Sequence, residues 1–212
     1  MKSILKLTLM AVAVFGAVNF ASAQIDFGVK AGLNLANVNY SEEGLDTKML
    51  VTFQAGVVAD INISDHLAIQ PGLLLVGKGF KSEVELFGET FKTTANPMYL
   101  QVPVNLLYKG NMFYAGVGPY AGFGLFGKVK SEGGGQSDSE DLSFGSGEDD
   151  TWSALDFGAN LEAGVMLNNI RIGAGYALGL ANVIPNDVRS GDESVKNSVI
   201  SVNVTYMFGG NE

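Results

Sequence analysis

The stretch LDFGANLEAGVML (Leu155–Leu167), followed by Asn168–Asn169 and IRIGAGYALGL (Ile170–Leu180), decides the fold of this chain. In its first arm Leu155, Phe157, Ala159, Leu161, Ala163, Val165 and Leu167 alternate with a set containing Asp156, Asn160 and Glu162. In its second arm Ile170, Ile172, Ala174, Tyr176, Leu178 and Leu180 alternate with a set containing Arg171, Gly173 and Gly175. Side chains that alternate with period two belong to β-strands, whose successive residues face opposite sides of a sheet. The Asn-Asn pair between the arms suits a tight type I′ hairpin. It predicts Leu167 opposite Ile170 and Met166 opposite Arg171, so apolar meets apolar and polar meets polar. Both arms are about twice the usual strand length of about 5–6 residues.

The same alternation recurs along the chain and predicts eight strands, at Ile25–Ala36, Met49–Ile61, Leu67–Phe80, Tyr99–Tyr108, Phe113–Lys128, Trp152–Leu167, Ile170–Leu180 and Val199–Phe208. None of the eight apolar faces carries a charge. The opposite faces hold Asp26, Lys30, Asp60, Lys78, Asp156, Glu162 and Arg171, together with many of the chain's 28 glycines. In a soluble barrel or sandwich the charged face meets water, whereas a membrane barrel turns its apolar face out to lipid and packs its polar face inside. Three features favour the membrane case. The strands are long enough to cross a bilayer at a tilt. Glycine on the polar face suits a narrow, crowded interior and would weaken a solvated sheet face. Short connections near Asn62–His66, Lys109–Met112 and Asn168–Asn169 alternate with long polar ones near Asn37–Lys48, Lys81–Asn96, Val129–Thr151 and Ala181–Ser198. The predicted fold is therefore all-β, an eight-stranded antiparallel up-and-down transmembrane β-barrel, with a secreted lipocalin-like soluble barrel as the alternative. Pairing around Gly110–Asn111 places Tyr108 opposite Phe113, Asn105 opposite Gly116 and Pro103 opposite Gly118. Pro71, Pro103 and Pro119 fall inside strands, and the last two imply a bend or bulge in strands four and five.

Composition narrows the function. The 212 residues carry 22 acids against 13 bases, a formal net charge of −9, which argues against a nucleic-acid partner. There is no cysteine, which excludes disulfides, thiolate nucleophiles and cysteine-ligated metal. Met1–Ala23 has a basic start at Lys2 and Lys6, an apolar run over Leu7–Val18, and the small-x-small sequence Ala21–Ser22–Ala23. This is the pattern of a cleavable signal peptide for the general secretory pathway, giving a signal segment at 1–23 and a barrel domain at 24–212.

Several segments, in order, carry a family resemblance: FGVKAGLNLANV (Phe27–Val38), INISDHLAIQPGLLL (Ile61–Leu75) with Lys78–Gly79 beyond it, YLQVPVNLLY (Tyr99–Tyr108) and AGVGPYAG (Ala115–Gly122). Together they resemble the outer-membrane β-barrel domain family of Bacteroidota-type bacteria, often labelled porin-family or PorT-like. The resemblance implies an eight-stranded barrel of OmpA and OmpX architecture in the cell outer membrane. It implies outer-membrane lipid, lipopolysaccharide and the barrel-assembly machinery as partners, and it supplies no catalytic residues.

Candidate chemistry is sparse. His66, the single imidazole, sits in the short turn Ser64–Asp65–His66 without a nucleophile beside it, so no catalytic residue, cofactor or metal ligand is assigned and the chain is not expected to be an enzyme. Ser131–Thr151 holds seven acids in a Gly/Ser-rich background without calcium-loop spacing, which predicts a flexible solvated loop. The seven inward charges form a candidate lumen polar network that holds the barrel shut. Glu162 and Arg171 are the first pair expected within it, and Lys30 the alternative partner. The expected role is a structural or interaction scaffold with acidic outer loops, with a small porin-like channel as the alternative.

Overall fold

Eight long strands follow from the alternating segments, and each hydrogen-bonds to its neighbours in chain order until the last closes on the first. The computed structural model describes residues 25–40, 47–86, 89–145, 147, 150–184 and 194–208. The strands are β1 (Ile25–Tyr40), β2 (Leu50–Asn62), β3 (Leu67–Gly77), β4 (Glu89–Lys109), β5 (Phe113–Gly133), β6 (Leu155–Leu167), β7 (Ile170–Gly179) and β8 (Val195–Met207). All eight junctions are antiparallel, including β8 with β1. The proposed signal segment Met1–Ala23 lies outside the described residues.

Following direct partners around the ring from Ile25 passes Ile61, Ile69, Leu106, Val117, Leu161, Tyr176 and Ile200 and returns to β1 at Leu35. Ten residues separate the start from the end, and that stagger fixes the tilt. With a rise of about 3.3 Å and strands about 4.8 Å apart, the strands lean about 41° from the barrel axis. Every residue on this circuit is apolar and outward. Phe27, Leu33, Val51, Phe113, Leu161 and Val202 are each more than half exposed. Lys30, Asp60, Lys78, Asp156 and Arg171 are buried. Charge inside and hydrocarbon outside is the inverse of a soluble barrel, so the lipocalin-like alternative is set aside.

The hairpin at Asn168–Asn169 has the expected register, Leu167 with Ile170 and Met166 with Arg171. Asn168 takes a positive φ of 54° but Asn169 does not, so the two-residue turn keeps the expected register without the paired positive φ angles of type I′. The β4–β5 hairpin departs from expectation by two residues. Tyr108 pairs with Ala115, not Phe113, and Pro103 pairs with Tyr120, not Gly118, because the turn runs from Gly110 to Phe113 and is closed by the Gly110 amide donating to the Phe113 carbonyl. A shift of two keeps every side chain on its predicted face. Each in-strand proline lies beside a lapse in pairing. Partners are missing around Ala59–Asp60 on β2 facing Pro71, around Gly72–Leu73 on β3 facing Pro103, and around Val104–Asn105 on β4 facing Pro119. The bulge itself falls higher, where Leu125 of β5 is inserted without a partner opposite the Met98–Tyr99 step of β4.

The short turns all lie at one end. At the other end β4 and β5 continue well past the bulge. Phe80–Leu86 pairs with β4, Thr47–Lys48 pairs with Phe80–Leu86, and Gln136–Asp141 pairs with β5 through a turn at Gly134 and Gly135 with φ of 57° and 76°. The expected flexible loop over Ser131–Thr151 is thus, in its first part, an ordered hairpin in a five-stranded ribbon.

Candidate functional site: the lumen and its mouth

Parity fixes which side chains enter the lumen, and the ring decides which of them meet. Near the turn end, register sets Asp26 and Asp60 directly opposite each other on β1 and β2. Two carboxylates side by side need cations from elsewhere. Arg171 of β7 reaches across with Nη2 2.6 Å from Asp60 Oδ2, and Lys109 Nζ stands 3.7 Å from the same oxygen. Gln70 donates to Asp60 Oδ1 at 2.8 Å. Lys109 donates to Asn62, whose amide donates to Asp26 at 2.9 Å.

One level up, Lys30 of β1 pairs with Glu162 of β6, and the Tyr114 hydroxyl donates to the other oxygen of Glu162 at 2.7 Å. Nearer the loop end, Lys78 pairs with Asp156 at 2.6 Å, both essentially without solvent contact. Asp156 also accepts from Asn197 at 3.2 Å and from Tyr120 at 3.3 Å. The Lys78 ammonium lies 4.2 Å from the Tyr120 ring centre and 5.3 Å from that of Tyr99. Each of the three ion pairs joins strands three places apart around the ring, β1 to β6, β2 to β7, and the end of β3 to β6. They act as cross-braces. The pair expected first, Glu162 with Arg171, does not form: Glu162 takes Lys30, the alternative partner, and Arg171 takes Asp60.

Between the braces lies a cavity of about 40 Å³ bordered by Gln54, Gln70, Gln101, Asn105, Lys30 and Glu162. Buried amide oxygens of Gln101 and Asn105 have no partner within the protein. A space of this size holds about three waters, each needing polar neighbours of this kind. It is too small for a nutrient-sized solute.

The mouth is closed differently. Val38, Ala95, Tyr99, Leu142, Trp152, Val183 and Val195 form a buried apolar cluster above the Lys78–Asp156 pair, with Phe80, Val129, Phe144 and Ile184 packed against it. Phe80 stacks on Trp152 with ring centres 6.3 Å apart, and Phe144 meets Tyr99 edge-on at 5.9 Å. The Tyr99 hydroxyl donates to the Ser153 carbonyl at 3.1 Å, tying the mouth to β4. Sequence reasoning missed this cap, and it missed Asn62, Gln70, Lys109 and Asn197 as network members. Tyr114 and Tyr120 were legible as inward residues but not as hydrogen-bond donors. His66 is exposed in its turn, stacked on Tyr108 at 6.2 Å. Among the described residues no cluster of acidic or histidine side chains is arranged to hold a metal ion.

A closed ring with an apolar exterior and a braced polar lumen matches a known family over residues 19–185, the outer membrane protein beta-barrel domain. The chain belongs to that family. Outer-membrane location follows from membership. Solved structures of similar shape include Ail of Yersinia pestis in complex with the heparin analogue sucrose octasulfate, at 16% identity and TM-score 0.46, covering 87% of this chain and 99% of that one. Neisserial surface protein A is similar at 13% identity and TM-score 0.43, covering 86% and 97%. OprG of Pseudomonas aeruginosa is similar at 13% identity and TM-score 0.39, covering 89% and 98%. No curated protein matches the chain.

Proposed function

We propose that this outer membrane beta-barrel protein is a closed scaffold that presents its long connections as an interaction surface and conducts no solutes. The observation that carries this is the lumen itself, braced by three ion pairs joining strands three apart and capped by an apolar cluster, with a residual cavity of about 40 Å³. Eight strands leave an interior that side chains can fill, and here they do. In this proposal the signal segment at Met1–Ala23 routes the chain through the general secretory pathway and the barrel-assembly machinery inserts it. Lipid and lipopolysaccharide surround its apolar belt, and it has no enzymatic activity and no nucleic-acid partner. The resemblance over Phe27–Val38 and Tyr99–Tyr108 supports a place in the Bacteroidota-type, PorT-like branch.

The deciding experiment is single-channel recording on the refolded protein in a planar bilayer. The scaffold proposal expects a quiet membrane, whereas large, stable openings would favour the small porin-like channel. Orientation is tested separately. The chain lacks cysteine, so Ser139→Cys and Ser64→Cys each create one labelling site. A membrane-impermeant maleimide should label intact cells through position 139 and not through position 64. The reverse pattern would invert the barrel.

A further inference from the structure

The acidic chain hides a sorted distribution of its bases. Lys30, Lys78, Lys109 and Arg171 serve the lumen. Lys48, Lys81, Lys92, Lys128 and Lys130 all belong to the ribbon above β4 and β5. Residues paired across a sheet share a face, and register links Lys48 to Lys81, Lys81 to Thr94, Thr94 to Lys130 and Lys130 to Ser139. This single row crosses five strands and contains three ammonium groups, two hydroxyls and no carboxylate. The opposite face of the ribbon carries Ala95, Val129 and Phe80, which pack on the apolar cap of the mouth. The lysine row therefore faces outward, away from the barrel axis.

Its height is equally specific. Phe126, 56% exposed, belongs to the apolar belt of β5. Lys128 and Lys130 follow two and four residues later on the same face, about 5 and 10 Å higher at the strand rise and tilt given above. The polar headgroup layer occupies roughly the 5–8 Å beyond the hydrocarbon on each side, and lysine stems can reach down to it. The carboxylates that accompany these lysines lie off the row. Glu83 meets Lys48 and Glu132 meets Lys130 from the row farther out, and Asp141 meets Lys128 at 3.7 Å at the ribbon's edge. The acids Asp138 and Glu140 register with Ser131 and Val129, on the mouth side.

We propose that the row Lys48–Lys81–Thr94–Lys130–Ser139 docks the phosphate-bearing headgroup of a lipid in the leaflet at the loop end of the barrel. The inference rests on the membrane placement and orientation given under Proposed function. Charge complementarity carries it: a chain with an excess of acids sets Lys48, Lys81 and Lys130 in one outward row that holds no carboxylate, with Lys128 two residues nearer the bilayer on the same face. A headgroup phosphate rising from the bilayer meets Lys128 with its partner Asp141 first, then the carboxylate-free row, and only beyond it Glu83 and Glu132.

The test uses the whole folded protein in phosphatidylcholine nanodiscs doped with lipid A or with its dephosphorylated form. Bound lipid is counted by native mass spectrometry, and folding is followed by the gel shift between heated and unheated samples. Wild type should retain lipid A at least about tenfold over the phosphate-free lipid, given roughly 1 kcal/mol for each lysine near an anionic surface. The triple variant Lys48→Gln, Lys81→Gln, Lys130→Gln should keep the gel shift and fall to the phosphate-free level. Lys196→Gln, on β8 outside the ribbon, should change nothing. Equal retention of the two lipids by wild type, or full lipid A retention by the folded triple variant, overturns the site. Loss of the gel shift in wild type itself would overturn the membrane placement and the site with it.

Discussion

The lumen and the ribbon use the same lysine–carboxylate chemistry for opposite ends. In the lumen, Lys30, Lys78 and Arg171 meet acids three strands away, and the side chains of Lys78 and Asp156 are 0% and 1% exposed. In the ribbon, Lys48 meets Glu83 and Lys130 meets Glu132 within adjacent strands or one strand, with the lysines more than half exposed. A charge buried without its partner is costly, and a solvated one is not. The lumen pairs are therefore structural commitments of the barrel, whereas the ribbon pairs can be exchanged for another anion without unfolding anything.

The contrast breaks most visibly at Asp60. Its carboxylate serves both Arg171 and Lys109 and accepts from Gln70. Asp60→Asn removes the charge and leaves Arg171 buried without a counterion, which should cost roughly 3–5 kcal/mol. The double variant Asp60→Leu, Arg171→Met should recover most of that loss. Denaturant unfolding of the protein in lipid bilayers measures both, and a single variant as stable as wild type would show that the brace carries no weight.

A smaller effect comes from the glycines that make room for the braces. A Cβ at Gly173 would lie 2.1 Å from the Tyr114 hydroxyl, the group that donates to Glu162. Gly173→Ala must push the tyrosine off its acceptor, at a cost of about 1–3 kcal/mol for overpacking. At Gly110, in the turn, the nearest atom is a carbonyl oxygen at 3.2 Å. Gly110→Ala is the control and should lose much less. Comparable losses at the two positions would mean that crowding around Tyr114 is unimportant. Smaller again is the hairpin turn. Asn168 sits at φ 54°, and Asn168→Val should cost about 1–2 kcal/mol, since only glycine, asparagine and aspartate tolerate that region readily. Asn168→Gly should be close to neutral in the same assay.

Alternation alone was enough to place Asp26, Lys30, Asp60, Lys78, Asp156, Glu162 and Arg171 inside, because face depends only on parity. Partners depend on level, and level depends on the register of every junction around the ring. The two-residue offset at the Gly110 hairpin shows the difference: it left every face correct and moved one side of the ring by about 7 Å against the other. The ten-residue stagger brings Lys30 level with Glu162 and Arg171 level with Asp60, and no single hairpin encodes it. The cap was hidden for another reason. Leu142 and Phe144 stand without periodicity in an acidic, glycine-rich segment, and Trp152 opens the predicted strand Trp152–Leu167 on its inward parity but with nothing local to mark the cap it joins. The ribbon was hidden because Phe80, Val84 and Leu86 alternate with Lys81, Glu83 and Glu85 over only seven residues, and Gln136–Asp141 holds no apolar residue at all.

The weakest expected effect lies in the ribbon and is read through pH. The Lys48 ammonium, hydrogen-bonded to Glu83, holds that carboxyl below its ordinary value of 4.5, with Lys92 and Lys81 adding to the pull. Glu132 is held down by Lys130 in the same way. A carboxyl whose folded pKa is depressed stabilises the folded form above its unfolded pKa, and that contribution fades as pH falls through the folded value. Pairing of Thr47–Lys48 with Phe80–Leu86 should thus be unaffected by pH from neutrality down to about 4.5 and loosen below it. Exposed pairs contribute little, so the barrel itself should not respond, and its unfolding should follow the buried pairs instead. Hydrogen exchange at pH 6 and pH 3.5, corrected for the intrinsic rate, separates the two regions. Protection should drop over residues 80–86 and persist over Leu155–Leu167. In Glu83→Gln the ribbon should lose most of its pH response, and a wild-type-like response in that variant would assign it to other carboxylates of the loop end.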